Sequence, residues 1–226
     1  MIVVTGASSG IGKATAILLA ASGARVALLG RDSGRLDEVH RLCPGSSVHA
    51  SNIVDGIDLE SILLAHGREE IQALVNCAGS GHVGNFCELP FEAVQADVSV
   101  NLLGLMKACH DVLPYFLKQG KGKIINVLSI AATSPFGGMA AYSASKAGAL
   151  SFSRALSQEV RRSGVLVTSI LPGAVDTPWW EGQSFQPPKA DMLSAQAVAE
   201  VILSVIQQPY DRATDEIVLM PPKGIL

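Results

Sequence analysis

The run Ala141-Tyr142-Ser143-Ala144-Ser145-Lys146 sets a tyrosine and a lysine four residues apart in a stretch whose apolar spacing continues as a helix through Val160. Positions i and i+4 share one helix face, so the phenol and the ammonium stand together. A free phenol titrates near ~10, too high for efficient proton donation and acceptance at neutral pH, and a neighbouring cation lowers that value. The chemistry on offer is general acid/base catalysis by Tyr142, tuned by Lys146. Alone, such a pair is more often a packed tyrosine and a solvated lysine. Ser129 changes its standing, because it closes the strand-like run Lys123–Leu128 at the carboxyl end, where doubly wound α/β folds hold their ligands. Its hydroxyl is suited to a substrate oxygen. The alternative for Ser129 is a strand-end residue satisfying nearby backbone.

A second set of residues handles phosphate. Thr5-Gly6-Ala7-Ser8-Ser9-Gly10-Ile11-Gly12 lies between a short β-branched run and a small-residue helix, Ala14 to Ala21. Gly6 suits the tight turn, Gly10 the approach of backbone to a pyrophosphate, and Gly12 close helix packing, with helix N–H groups supplying donors. The next strand ends Leu28-Leu29-Gly30-Arg31-Asp32. Glycine stands where an acid would hold a ribose 2′-OH, and Arg31 follows it, which favours NADP(H). In the alternative, Asp32 is a displaced ribose ligand and NAD(H) serves; in the plainest reading, Arg31 is solvated and Asp32 caps the helix beginning near Ser33.

The elements that must position these residues alternate. Ile2–Thr5, Arg25–Leu29, Ser47–Ala50, Ala73–Val75, Lys123–Leu128, Leu166–Ile170 and Glu216–Met220 read as strands, with helical periodicity between them. Near-continuous apolar strands such as Ile124–Leu128 suit a sheet covered on both faces. The expected fold is one doubly wound, Rossmann-type α/β domain over 1–226, a seven-stranded and mostly parallel sheet with helices on both faces. Trp179 to Lys189, rich in Gly, Gln and Pro, reads as part of a substrate lid over 178–193. Its Trp179, Trp180 and Phe185 suit either a pocket lining or a subunit contact.

Composition bounds the partners. Of 226 residues, 48% are hydrophobic and 16% charged, with mean hydropathy +0.34, so some apolar helix face is expected to be buried between subunits. A net charge of −3 argues against nucleic-acid and anionic-membrane surfaces. The four cysteines make no CxxC pair, and the histidines lack metal-ligand spacing, so neither a disulfide framework nor a metal site is expected. The apolar run Met1–Val4 is too short for a signal-peptide core or a membrane span. A cytoplasmic protein is expected.

Taken in order, Thr-Gly-x3-Gly-x-Gly, Asn-x-Ala-Gly, Asn101, Ser129, Tyr142-x3-Lys146 and Pro172-Gly173-x3-Thr177 resemble the short-chain dehydrogenase/reductase family over essentially the whole chain. The resemblance implies hydride transfer between a nicotinamide and a carbonyl or alcohol, with Tyr142 as acid/base, Ser129 on the substrate oxygen, and Lys146 tuning the phenol and holding the nicotinamide ribose. It implies that Asn101 holds a water in a proton relay through the lysine. Asn76-Cys77-Ala78-Gly79 is similar to the family's Asn-Asn-Ala-Gly element that steadies the sheet beside the cofactor, which implies that Asn76, Ala78 and Gly79 meet the cofactor, with Cys77 read as a core cysteine away from the chemistry. By the same resemblance Val175 and Thr177 contact the nicotinamide carboxamide or phosphates, and Asn52-Ile53 meets adenine. The tail Asp215–Pro222 looks more like the branch acting on 3-hydroxy acids, serine-like alcohols and assorted carbonyls than like 3-oxoacyl-thioester reductases. Family members are often dimers or tetramers formed through long helices, here Phe91–Leu117 and Tyr142–Arg162. The rival readings are a nucleotide-sensing regulator without turnover and a protein of assembly alone.

Overall fold

The computed structural model describes residues 1–225. Strands β1 (Ile2–Thr5), β2 (Val26–Gly30), β3 (Ser47–Ala50), β4 (Ala73–Asn76), β5 (Gly122–Val127) and β6 (Val165–Pro172) alternate with helices α1 (Gly10–Ala21), α2 (Ser33–Leu42), α3 (Leu59–Ala65), α4 (Phe91–Val98), α5 (Leu105–Gln119) and α6 (Ala140–Val160). Two short strands, β7 (Val175–Asp176) and β8 (Leu193–Ser194), pair with each other, and α7 (Ala195–Gln207) leads to β9 (Glu216–Leu219). The main sheet has seven strands in the order β3-β2-β1-β4-β5-β6-β9. Every pairing in it is parallel, where the sequence predicted mostly parallel.

Side chains alternate across each strand, and the two faces bury separate cores. Ile2, Val4, Leu28, Val75 and Ile125 pack under α1, α2 and α7 against Ala16, Leu19, Leu36 and Ile202. Val3, Leu29, Leu74 and Ile124 pack under α5 and α6 against Val112, Phe116, Leu150 and Leu156. Burying each such large side chain contributes about 1.5–3 kcal/mol, which is why the strands carry almost nothing else. The order reverses between β1 and β4, so the chain leaves these neighbouring strands in opposite directions and opens a crevice at their carboxyl ends.

Two elements depart from expectation. The long helix predicted over Phe91–Leu117 is continuous but carries a π-helical segment, Ser99–Gly104, between α4 and α5. Apolar spacing runs through that segment without a proline, and helical periodicity alone gives no sign of the extra residue that a π-helical turn accommodates. The other departure is Lys123, inside β5 yet 4% exposed. Its Nζ donates to the carbonyls of Val205 (3.1 Å), Ile206 (2.7 Å) and Gln208, closing the carboxyl end of α7 where helix carbonyls lack partners. Lys123→Met leaves those carbonyls unsatisfied, and we expect a loss of about 1–3 kcal/mol in urea unfolding. A midpoint unchanged from the parent protein is the result that sinks this capping role.

Candidate active site

The turn after β1 brings three backbones together. Gly6 has φ +66°, and a β-carbon there would lie 2.7 Å from the Ala78 nitrogen; one on Gly12 would collide with the Gly6 carbonyl. Only glycines let α1 begin this close to the exit of β4. Ser9 precedes α1 without a side-chain cap, and no acid occupies the first turn. The leading N–H groups of α1 therefore offer donors and positive potential to an anion.

This turn forms one wall of a cleft of about 360 Å³. Gly6, Ser8, Ser9, Gly10, Ile11 and Gly12 line it, as do Arg31 beyond β2 and Asn52 and Ile53 beyond β3. Ala78 and Gly79 line it after β4, Ser129 after β5, Tyr142 and Lys146 on α6, and Pro172, Gly173, Val175 and Thr177 after β6. Asn52 lines it while its side chain accepts from the Val54 nitrogen (3.3 Å).

Two expected site residues lie behind the wall. Asn76 is buried, and its Nδ2 donates to Asn126 Oδ1 (2.9 Å), tying β4 to β5 beneath the cleft. Its place at the end of a fully buried strand turns it inward, so it braces the sheet and does not line the cleft, where a direct cofactor contact was also expected. Asn101, in the π-helical segment, is fully buried: Nδ2 donates to the Ser80 carbonyl (2.8 Å) and Ser145 Oγ (3.0 Å), and Oδ1 accepts from the Ser80 nitrogen (3.0 Å). Both amide hydrogens are spent on positioning, and one Oδ1 lone pair is left. A β-carbon on Gly79 would lie 3.2 Å from that oxygen and 3.6 Å from Lys146 Nζ, so glycine keeps the space between them clear.

Other residues escaped the sequence reading. Arg35, one turn into α2, lines the cleft beside Arg31. Asp32 caps α2 by accepting from the Arg35 nitrogen (3.0 Å), and its second oxygen lies 3.4 Å from Arg35 Nε. The i+3 spacing from a capping aspartate was the available signal for Arg35. Cys77 packs against the core, as expected, and also lines the cleft; burial pushes its thiol up to about 12 despite the nearby Lys146 charge. Asp97 on α4 is fully buried, accepting from Ser80 Oγ (3.2 Å), the His82 nitrogen (3.2 Å) and His82 Nδ1 (2.9 Å).

Burial sets the electrostatics of the acid/base pair. It pushes the Tyr142 phenol up to about 12, against a lowering hydrogen bond from Ser129 and with a raising contribution from Asp97. Burial likewise pulls the Lys146 ammonium down to about 8, opposed by Cys77 and Asp97. Lys146 Nζ donates to the Val127 carbonyl (3.3 Å) and lies 5.8 Å from the Tyr142 ring centre. The expected lowering of the phenol by lysine is thus overridden among the protein groups themselves; a further cation in the cleft is what would bring it down.

Above the phenol, Trp179 lies 5.3 Å from the Tyr142 ring and 4.7 Å from Trp180 between ring centres. Trp180 Nε1 donates to the Val175 carbonyl (3.0 Å). Gln183 stitches the segment to the loop after β4, accepting from the Val83 nitrogen (3.0 Å) and donating to the Gly81 carbonyl (2.7 Å).

A model of the short chain dehydrogenase family matches residues 1–187. The chain belongs to the short-chain dehydrogenase family. An uncharacterized oxidoreductase of Staphylococcus epidermidis is 35% identical over 222 residues, covering 97% of this chain and 96% of that one. Among solved structures of the fold, an alcohol dehydrogenase from the archaeon Thermococcus sibiricus complexed with 5-hydroxy-NADP is 26% identical with a TM-score of 0.88, covering 98% of this chain and 96% of its own. Serine dehydrogenase from Escherichia coli is 26% identical with a TM-score of 0.88, and both chains are covered completely. As a short-chain dehydrogenase, the protein is an oxidoreductase of CH–OH groups that works with a nicotinamide cofactor.

The lowered Lys146 pKa is also a stability statement. Between about 8 and the ordinary lysine value of 10.5 the unfolded chain holds a proton that the folded one has released, so folding gains as pH rises through that window. Relative to Lys146→Met, the parent protein is expected to gain on the order of 2 kcal/mol in urea stability between about pH 8 and 10, the variant cancelling contributions from other groups. Parallel pH profiles for the two proteins would place the ammonium in solvent.

Proposed function

We propose that this short-chain dehydrogenase is an NADP(H)-preferring enzyme that interconverts a carbonyl and an alcohol with Tyr142 as acid/base. The observation that carries it is the meeting of two chambers at one seam. The glycine-turn cleft and a second, apolar cavity share Ser129, Tyr142, Gly173, Trp179 and Trp180.

A nicotinamide dinucleotide, when bound, supplies or takes up the hydride. The fit rests on the uncapped α1 terminus, the glycine cradle, and the presence of both Arg31 and Arg35 in the cleft lining. Arg31 and Arg35 would hold a 2′-phosphate, Asn52 and Ile53 the adenine, Lys146 the nicotinamide ribose, and Val175 and Thr177 the carboxamide or phosphates. Asp32, the candidate ribose ligand in the NAD(H) reading, spends its carboxylate on the α2 cap and Arg35. The neighbour from Thermococcus sibiricus, complexed with 5-hydroxy-NADP, supports the same preference.

In reduction, Ser129 and Tyr142 donate hydrogen bonds to the substrate oxygen, and the Tyr142 proton passes to it. Lys146 stabilises the phenolate left behind. A water held between Asn101 Oδ1 and Lys146, in the space Gly79 leaves, would return the proton. We place the enzyme in the cytoplasm as a homodimer or homotetramer: its four cysteines are free, and Leu103, Met106 and Leu117 are exposed in and beyond the π-helical segment. Among the described residues no helix is long and apolar enough to cross a membrane.

Tyr142→Phe should lower kcat by about 10²–10⁴-fold in steady-state assays while NADPH affinity stays within about threefold. Full turnover in that variant overturns the acid/base role, and tight NADPH binding without turnover of any carbonyl by the parent enzyme favours the regulator. Arg31→Ala combined with Arg35→Ala should weaken NADPH by roughly 10–100-fold and leave NADH almost unmoved in fluorescence titrations. Equal losses for both nicotinamides would overturn the preference.

A further inference from the structure

The apolar chamber specifies a class of substrate, an inference that rests on the function proposed above. It measures about 380 Å³, within the range of small-molecule sites. Its walls include Phe136, Met139, Trp179, Phe185 and Met220, and among the described residues its only side-chain polar groups besides the Trp indole nitrogens are the hydroxyls of Ser129 and Tyr142. No charged side chain lines it among the described residues.

Three basic side chains on segments that border the chamber are engaged elsewhere. Lys189 is 72% exposed and lies 3.6 Å from Asp176; Lys223 binds Asp191 at 2.6 Å; His82 is held by Asp97. Lys146 lines the glycine-turn cleft and not this chamber. A carboxylate or ammonium entering here would shed water without gaining a counter-charge. Aromatic faces and thioethers, by contrast, complement a flat apolar group.

We propose that the chamber takes uncharged ketones, and the matching secondary alcohols, that carry an aromatic or bulky apolar substituent, and that it rejects anionic oxo acids and free amino-acid alcohols. This runs against the branch suggested by the C-terminal tail and against the likeness to serine dehydrogenase. The carbonyl carbon accepts a hydride from NADPH and its oxygen a proton from Tyr142, so ketone, NADPH and a solvent proton give alcohol and NADP⁺.

Both tryptophans of the chain line the chamber, so their fluorescence reports occupancy independently of turnover. The probes are methyl 4-acetylbenzoate and 4-acetylbenzoate, which carry the same aryl ketone and differ chiefly in charge, with L-serine as a third. We expect the ester to bind at least about 30-fold more tightly than the acid and to show the higher kcat/KM for NADPH oxidation, with L-serine inert. Phe185 is half-exposed and tolerates a charge, so Phe185→Arg should narrow the ester-to-acid ratio about tenfold whereas Phe185→Leu preserves it. Equal or tighter binding of the acid, or no response to either ketone, overturns the proposal. Turnover that prefers the acid overturns the substrate class and leaves the oxidoreductase reading standing; ester binding without NADPH oxidation does the reverse.

Discussion

At Gly6 the exit of β1, the first residues of α1 and the exit of β4 touch backbone to backbone, with no space for a β-carbon at either Gly6 or Gly12. The rest of the site depends on that contact. It brings the open N–H groups of α1 to the crevice created by the reversal of strand order between β1 and β4. It also fixes where the chain emerges at Ala78 and Gly79, and so where Lys146 meets Asn101. A side chain at Gly6 would push the two strand exits apart and widen the cleft at the point where close approach matters.

The acid/base pair is built in the opposite manner, by enclosure. Tyr142 and Lys146 are both pushed toward their neutral forms by burial, opposed at the lysine by Cys77 and then Asp97. A phenol raised to about 12 is a poor base by itself. The enclosure matters because a positive charge entering a desolvated cleft acts on the phenol far more strongly than it would through water. The protein thus keeps the tyrosine a secure proton holder until the cleft acquires a cation.

The seven strands of the main sheet were legible to within one or two residues at their ends, because burial of the central strands on both faces favours β-branched and apolar side chains; the two-residue β7 and β8 carry no such run and were not. The cleft wall was legible too, since glycine spacing, strand-end serine and the Tyr-x3-Lys pair each carry a local mechanism. What escaped was whatever depends on direction. Nothing local tells that Asn76 stays behind the cleft wall while Cys77, packed against the core, also reaches the cleft, since both follow from where β4 stops. Lys123 looks like a solvated strand lysine until α7 ends against it. Asp97 joined the site through the angle of a helix, which spacing along one chain does not encode, whereas Arg35 had a local signal in its i+3 spacing from the capping Asp32.

The π-helical segment has a consequence for how this chain tolerates change in length. A helix advances about 100° per residue, so one surplus residue rotates everything before it relative to everything after it. α4 and α5 are therefore held out of phase, with Asp97 turned toward the loop after β4 while Val112 and Phe116 face the sheet. A single-residue deletion anywhere between Ser99 and Gly104 would restore an ordinary helix and swing Asp97 away from Ser80 and His82. Most surface segments of the fold absorb insertions and deletions readily; this stretch behaves as a fixed-length coupling, in which the count of residues matters as much as their identity.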